Sequence, residues 1–275
     1  MSQHIPKIYL DNNATTQPAK EVVEAVIHAM QVYGNPSSLH RFGQEARALL
    51  LQAKDEVAAF LGTSTRELLF TSSATEALNT ILKSTSQGHM ISTALQHSAV
   101  YNTLLTLQKK GYKVTLLPSS SYGAPTLQEV EAAILPDTKL ITLMAANNET
   151  GDKTDVDAIA ALAKAKNIPF VVDAVSLLGK EPISIPAGVS AMVFSGHKIH
   201  GPKGVGFAYI QKQFPILPLI VGGEQESNRR AGTEDVPAIY GLAAAIRLLK
   251  EARPEAQEKM RQLHDSFERE LLSLS

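Results

Sequence analysis

Short runs of consecutive apolar residues recur along this chain, and a helical pattern separates most of them from the next. The runs are Glu67–Phe70, Met90–Thr93, Val114–Leu117, Lys139–Ala145, Pro169–Val172, Ala191–Phe194 and Val205–Ile210. They are continuous rather than alternating, which marks strands covered on both faces. Between them lie helical stripes, as at Thr71–Lys83, His97–Lys110, Thr126–Ile134 and Asp155–Lys166. Strand–helix alternation of this kind folds as α/β, with a mostly parallel sheet and helices on both faces. Two further helices precede it, from Pro18 to Tyr33 and from about Gly43 to Leu61, the second stopped by Gly62. Ile8–Leu10 reads as one more short strand.

Such a sheet binds its ligands beyond the carboxyl ends of its strands. Polar clusters fall at those ends: Thr71-Ser72-Ser73, Asn147-Asn148 and Asp173. From about Pro237 the texture changes to two helical patterns, Ala238–Ala252 and Glu255–Leu272, with Pro254 expected to part them. Met260, Leu263, Phe267 and Leu271 give the second one an apolar stripe with little else to cover it. The expected organisation is an N-terminal segment over 1–15, a large domain over 16–250, and the start of an incomplete small C-terminal domain over 251–275.

Composition narrows the function classes. With 26 basic and 27 acidic residues the net charge is -1, so no polyanion-binding bias exists and no nucleic-acid partner is expected. The 275 residues include no cysteine, which removes disulfides, thiolate metal sites and a cysteine nucleophile, and no metal is expected. Met1–Lys7 has no apolar signal core, and no apolar run reaches the ~18 residues that span a bilayer. The expectation is a cytoplasmic protein without a membrane partner.

Lys198 stands out within Ser195–Gly204. An apolar run precedes it, another follows, and Gly201, Pro202 and Gly204 fix the loop between them. A lysine that forms an imine needs such a setting, because its amine must be desolvated and deprotonated to become nucleophilic. A surface lysine on a hairpin fits the same residues. Thr71–Thr75 opens a helix, where free amides and hydroxyls can cup a phosphate or simply cap the helix. Asp173 ends a buried run and either pairs with a protonated ring nitrogen or caps the next element. His97 could stack on a ring, shuttle a proton, or cap its helix. Together, a lysine for an imine, a carboxylate for a pyridinium and a helix end for a phosphate are the protein's parts for pyridoxal 5'-phosphate, PLP.

Six stretches, in order, carry a resemblance: Tyr9–Thr16, Gly34–His40, Phe70–Glu76, Asn147–Gly151, Ser195–Gly204, and Gly222–Glu226 with Arg229–Glu234. The chain resembles the PLP-dependent cysteine desulfurases, class-V aminotransferases of fold type I. The resemblance implies the large domain of that fold plus a remnant of its small domain. It implies that Lys198 bonds the cofactor and that Asp173 pairs with the ring nitrogen. His97 would stack on the ring and move protons. Ala74, Thr75, Ser195 and His197 would hold the phosphate, Thr233 would reach a phosphate across a homodimer interface, and Asn148 would lie near the substrate carboxylate and the cofactor. Ser176 stands where the family has a glutamine for the ring hydroxyl, and is shorter. The family's cysteine nucleophile and its carboxylate-binding arginine lie beyond the matched stretches. The implied activity is conversion of L-cysteine to L-alanine with sulfur passed on for iron–sulfur cluster assembly, with assembly proteins as partners. A PLP-holding dimer or scaffold without activity, and a PLP lyase that needs no cysteine, are the alternatives.

Overall fold

The computed structural model describes residues 8–118 and 123–274, leaving out the side chains of 252–254. The Met1–Lys7 stretch, read above for a signal core, lies outside the described residues. The two opening helices are α1 (Lys20–Met30) and α2 (Arg41–Leu61). Gly62 ends α2 at φ 67°, a left-handed cap that glycine adopts without a Cβ penalty. Then come β1 (Leu68–Thr71), α3 (Ala74–Ser84), β2 (His89–Thr93), α4 (Ser98–Gln108), β3 (Lys113–Leu117) and α5 (Leu127–Ala132). They are followed by β4 (Thr138–Met144), α6 (Val156–Lys166), β5 (Phe170–Asp173), β6 (Val189–Ser195) and β7 (Gly206–Ile210). The last elements are the short turn α7 (Gln225–Asn228) and the long helix α8 (Val236–Leu272).

The seven strands form one sheet in the order β1-β7-β6-β5-β4-β2-β3. Strands β3, β2, β4, β5 and β6 run parallel, and β7 is antiparallel to both β6 and β1. The continuous apolar runs have the expected cause. Adjacent residues point to opposite faces and both faces are covered. Phe70, Ile141, Val172, Phe194 and Phe207 pack toward α1, α2, α6 and α8. Leu69, Leu140, Val171, Val193 and Ala208 pack toward α3 and α4. Phe194 and Phe207 stack across β6 and β7 with ring centroids 4.8 Å apart.

Two sequence expectations fail. Ile8–Leu10 forms no strand, since all three residues are exposed and pair with nothing in the sheet. Pro254 does not divide the C-terminal segment, because α8 runs unbroken for 37 residues. Proline's fixed φ is helical, and its cost is one missing hydrogen bond and a local clash. The first half of α8 is held by burial against α1 and α2, which outweighs that local cost. Met260, Leu263, Phe267 and Leu271 are exposed as expected.

Candidate functional site

A cavity of about 380 Å³ opens at the carboxyl ends of β1, β4, β5 and β6. Its lining includes Ala74, Thr75, His97, Asn148, Asp173, Ser176, Ser195, His197 and Lys198, which are nine of the ten sequence-predicted residues. The tenth, Thr233, lies in a different pocket of about 170 Å³ beside Ser72, Arg230 and Glu234. Within one chain, therefore, the fold does not bring Thr233 to Lys198.

Lys198 closes the tight turn Gly196–Lys198 between β6 and β7. The amides of Ile199 and Gly201 both donate to the Gly196 carbonyl, at 3.1 and 3.0 Å, so the turn is locked at its base. The lysine Nζ donates to the carbonyls of Asn13 and Ala14, the latter at 2.9 Å. Burial pushes its ammonium below the ordinary lysine range, and the charges of Asp11, Asp173 and Glu149 oppose that. A lysine so placed gives up its proton more readily than one in water.

Asp173 ends β5, is 2% exposed, and holds one short contact, accepting from the Val175 amide on Oδ1 at 3.0 Å. Burial pushes its carboxyl up, opposed by that amide and by the charges of His97 and Lys198. No hydrogen bond reaches Oδ2 among the described residues. A buried carboxylate in this state wants a cation facing it. His97 caps α4, its Nδ1 accepting from the Ala99 amide at 3.1 Å. That bond keeps a lone pair on Nδ1 and puts the proton of the neutral ring on Nε2. The capping role and the place in the cavity are both real.

The other end of the cavity suits an anion. Ser73 caps α3 by accepting from the Glu76 amide at 3.2 Å, while the amides of Ala74 and Thr75 have no partner among the described residues. Glu76, which would repel an anion there, is turned back onto the Ser72 amide at 2.8 Å and paired with Arg230 at 2.9 Å. Burial raises its carboxyl, but bonds from Arg230 and Ser72 prevail and hold it below the ordinary range. Gly206 lets β7 approach this helix end. A Cβ there would lie 2.4 Å from the Ser73 carbonyl carbon and 2.6 Å from the Ala74 nitrogen. His197 Nδ1 contacts Thr15 Oγ1 at 3.1 Å, and burial first, then Lys198 and Lys203, push its imidazole toward the neutral form.

Known proteins are similar to this chain in sequence and in fold. The sequence matches the class-V aminotransferase family over residues 8–275. Cysteine desulfurase 2 of Trichormus variabilis is 42% identical, over 97% of this chain and 68% of that protein. The chain belongs to the class-V aminotransferase family. Within it, the putative cysteine desulfurase IscS 1 of Bacillus subtilis is 40% identical over 92% of this chain and 69% of its own. A solved NifS-like protein superposes with a TM-score of 0.94 at 41% identity, covering 98% of this chain and 77% of its own. SspA, solved in complex with cysteine, gives 0.85 at 34% identity over 88% of this chain and 72% of its own. The chain thus spans about two thirds of the length of these cysteine desulfurases (68–69%).

The sequence alone did not single out Asp11, Asn13 and Ala14, which line the cavity; the carbonyls of Asn13 and Ala14 hold Lys198, and the charge of Asp11 acts on it. The signal was present in the polar turn Asp11-Asn12-Asn13, but its partner lies about 185 residues away. Among the described residues no cluster of three or more His, Asp or Glu side chains could hold a metal, and no helix is long and apolar enough to cross a membrane.

Proposed function

We propose that this chain forms the PLP-binding part of a cysteine desulfurase, acting on L-cysteine to leave L-alanine. The observation that carries the reading is the pairing of Asp173 and Lys198 in one cavity with an unpartnered helix end. The fit is chemical as well as spatial. The free amides of Ala74 and Thr75, with Ser195 and His197 lining the same cavity, are donors for a phosphate. Asp173 needs the positive ring nitrogen that PLP would present. The volume suits a small cofactor.

Bound there, PLP supplies an electron sink for the bonds around the amino acid's α-carbon. The chain's own residues do the rest. Lys198 Nζ, held by the carbonyls of Asn13 and Ala14, is the group that attaches the cofactor and takes up or returns a proton at the α-carbon. Asp173 keeps the ring nitrogen protonated. His97 lines the cavity, and the Ala99 amide on its Nδ1 leaves the proton of the neutral ring on Nε2 as a donor. Ser176 leaves the ring hydroxyl with a weaker partner than glutamine would. Leaving L-alanine keeps the C–S bonding pair on the β-carbon, so a thiolate must take the sulfur to form a persulfide, and these 275 residues contain no cysteine.

The reading includes a homodimer in which Thr233 completes the neighbouring subunit's phosphate site. Its place outside the Lys198 cavity of its own chain supports that arrangement. It treats 16–250 as the large domain and 251–275 as the first element of a small one, supported by the uncovered apolar stripe on α8. A cytoplasmic setting and iron–sulfur assembly partners go with it, since free thiols persist in a reducing compartment. The test is a visible absorption spectrum of the purified protein with PLP, followed by assay of alanine and sulfide from L-cysteine. A bound chromophore that L-cysteine perturbs supports the reading. A chromophore indifferent to L-cysteine favours the non-catalytic alternative, and no bound PLP refutes both.

A further inference from the structure

Lys180 is a cation beside this cavity to which nothing above assigns a role. It ends the turn after β5, its amide donating to the Leu177 carbonyl at 3.0 Å, and Gly179 before it sits at φ 86°. Gln257 on α8 donates to its carbonyl at 2.8 Å, so the turn is fixed from both sides. The Lys180 Nζ donates to Asn13 Oδ1 at 3.2 Å. An ammonium has three donors, and this one uses a single neutral acceptor.

The carboxylates close to it in sequence and space are already engaged. Glu181 pairs with Lys153 at 3.2 Å, and Glu149 accepts from the Asn148 amide at 2.7 Å. Asp11, Asp173 and Glu149 act on Lys198, and among the described residues no carboxylate forms an ion pair with Lys180. Burial lowers its affinity for a proton, and the charge of Lys198 lowers it further. An anion placed here would relieve both.

Asn13 ties the two lysines together. Its side-chain oxygen accepts from Lys180, its carbonyl accepts from Lys198, and its amide donates to the Asn148 carbonyl. A groove of about 360 Å³ contains Lys180 and shares Asn13, Asn148, Glu149 and Ser176 with the Lys198 cavity. In an α-amino acid the amine and the carboxylate sit on one carbon. An amine brought to Lys198 has its carboxylate one carbon away, and Asn13, which accepts from both lysines, spans the short gap from Lys198 to Lys180.

We propose that, among these 275 residues, Lys180 is a cation that receives the α-carboxylate of the amino acid bound beside Lys198. The inference rests on the PLP reading and adds the group that selects a carboxylate-bearing amine over a plain one.

The test compares L-alanine with ethylamine as ligands of the PLP-loaded protein, by calorimetry and by displacement of the visible band. Wild type binds L-alanine more tightly than ethylamine. Lys180→Met weakens L-alanine about tenfold and leaves ethylamine unchanged, as loss of one charge-assisted bond to a half-exposed group requires. Lys180→Arg retains most of the preference. A thermal melt shows that both variants fold. L-Alanine binding unchanged in Lys180→Met, or an equal loss for both ligands, overturns the assignment. A wild type that holds PLP but does not distinguish the two ligands overturns it too, leaving the cofactor reading intact. A wild type that fails to hold PLP overturns both.

Discussion

Gly206→Ala tests whether the end of α3 is the phosphate site. The glycine has an ordinary backbone φ, so the consequence is steric alone. The new Cβ would stand 2.4 Å from the Ser73 carbonyl carbon and 2.6 Å from the Ala74 nitrogen. Ordinary contact begins near 3.4 Å, so β7 and the helix end must part by about 1 Å. Both obstructing atoms are backbone, and neither can swing aside. Overpacking of this kind costs about 1–3 kcal/mol of stability, which is a few degrees to about ten in melting temperature for a domain of this size. The more specific effect falls on the amides of Ala74 and Thr75, because a displacement of ~1 Å at a positioned group can cost on the order of a hundredfold. The assay is equilibrium binding of PLP and of pyridoxal, which lacks the phosphate, to wild type and variant. PLP affinity should fall about a hundredfold while pyridoxal affinity falls little. A variant with a lowered melting point and an undiminished preference for PLP would refute the reasoning, for the phosphate would then sit elsewhere.

Two further outcomes follow from the same geometry. Asp11, Asp173 and Glu149 all raise the Lys198 pKa against its burial; Asp173→Asn removes one of these charges, so the amine should attach PLP with a pH midpoint below that of wild type. Retention should weaken as well, because an ion pair at ~4 Å is worth about 4 kcal/mol at an effective dielectric near 20. An unmoved midpoint with unchanged PLP occupancy would show that the carboxylate serves another purpose. The 275-residue chain should turn L-cysteine over slowly even with dithiothreitol. An external thiol lacks the positioning worth ~7–11 kcal/mol. Single-turnover and steady-state assays check this, and sulfide release at a typical ~10 per second would contradict it.

Much of the fold was legible because both faces of the sheet are buried. The covering of Leu69 on one side and Phe70 on the other forces the continuous apolar runs from which the strands were read. Ends were harder. The exposed Ile8–Leu10 has strand-like residues but no neighbour to pair with, and pairing is not local in sequence. Pro254 reads as a break because its local cost is visible in sequence, whereas the packing of α8 on α1 and α2 is not. In the site, Lys198, Asp173 and the α3 cap could be picked out because each sits at a strand end. Asn13 and Lys180 could not, since their meaning is a contact between residues 13, 148, 180 and 198 that only the folded chain creates.

Borohydride reduction of the PLP-treated protein, with peptide mapping, tests the central claim most directly. The account predicts a pyridoxyl group on Lys198 and none in Lys198→Ala. Modification at Lys180, at Lys203 or at scattered surface lysines, with Lys198 unmodified, would contradict it.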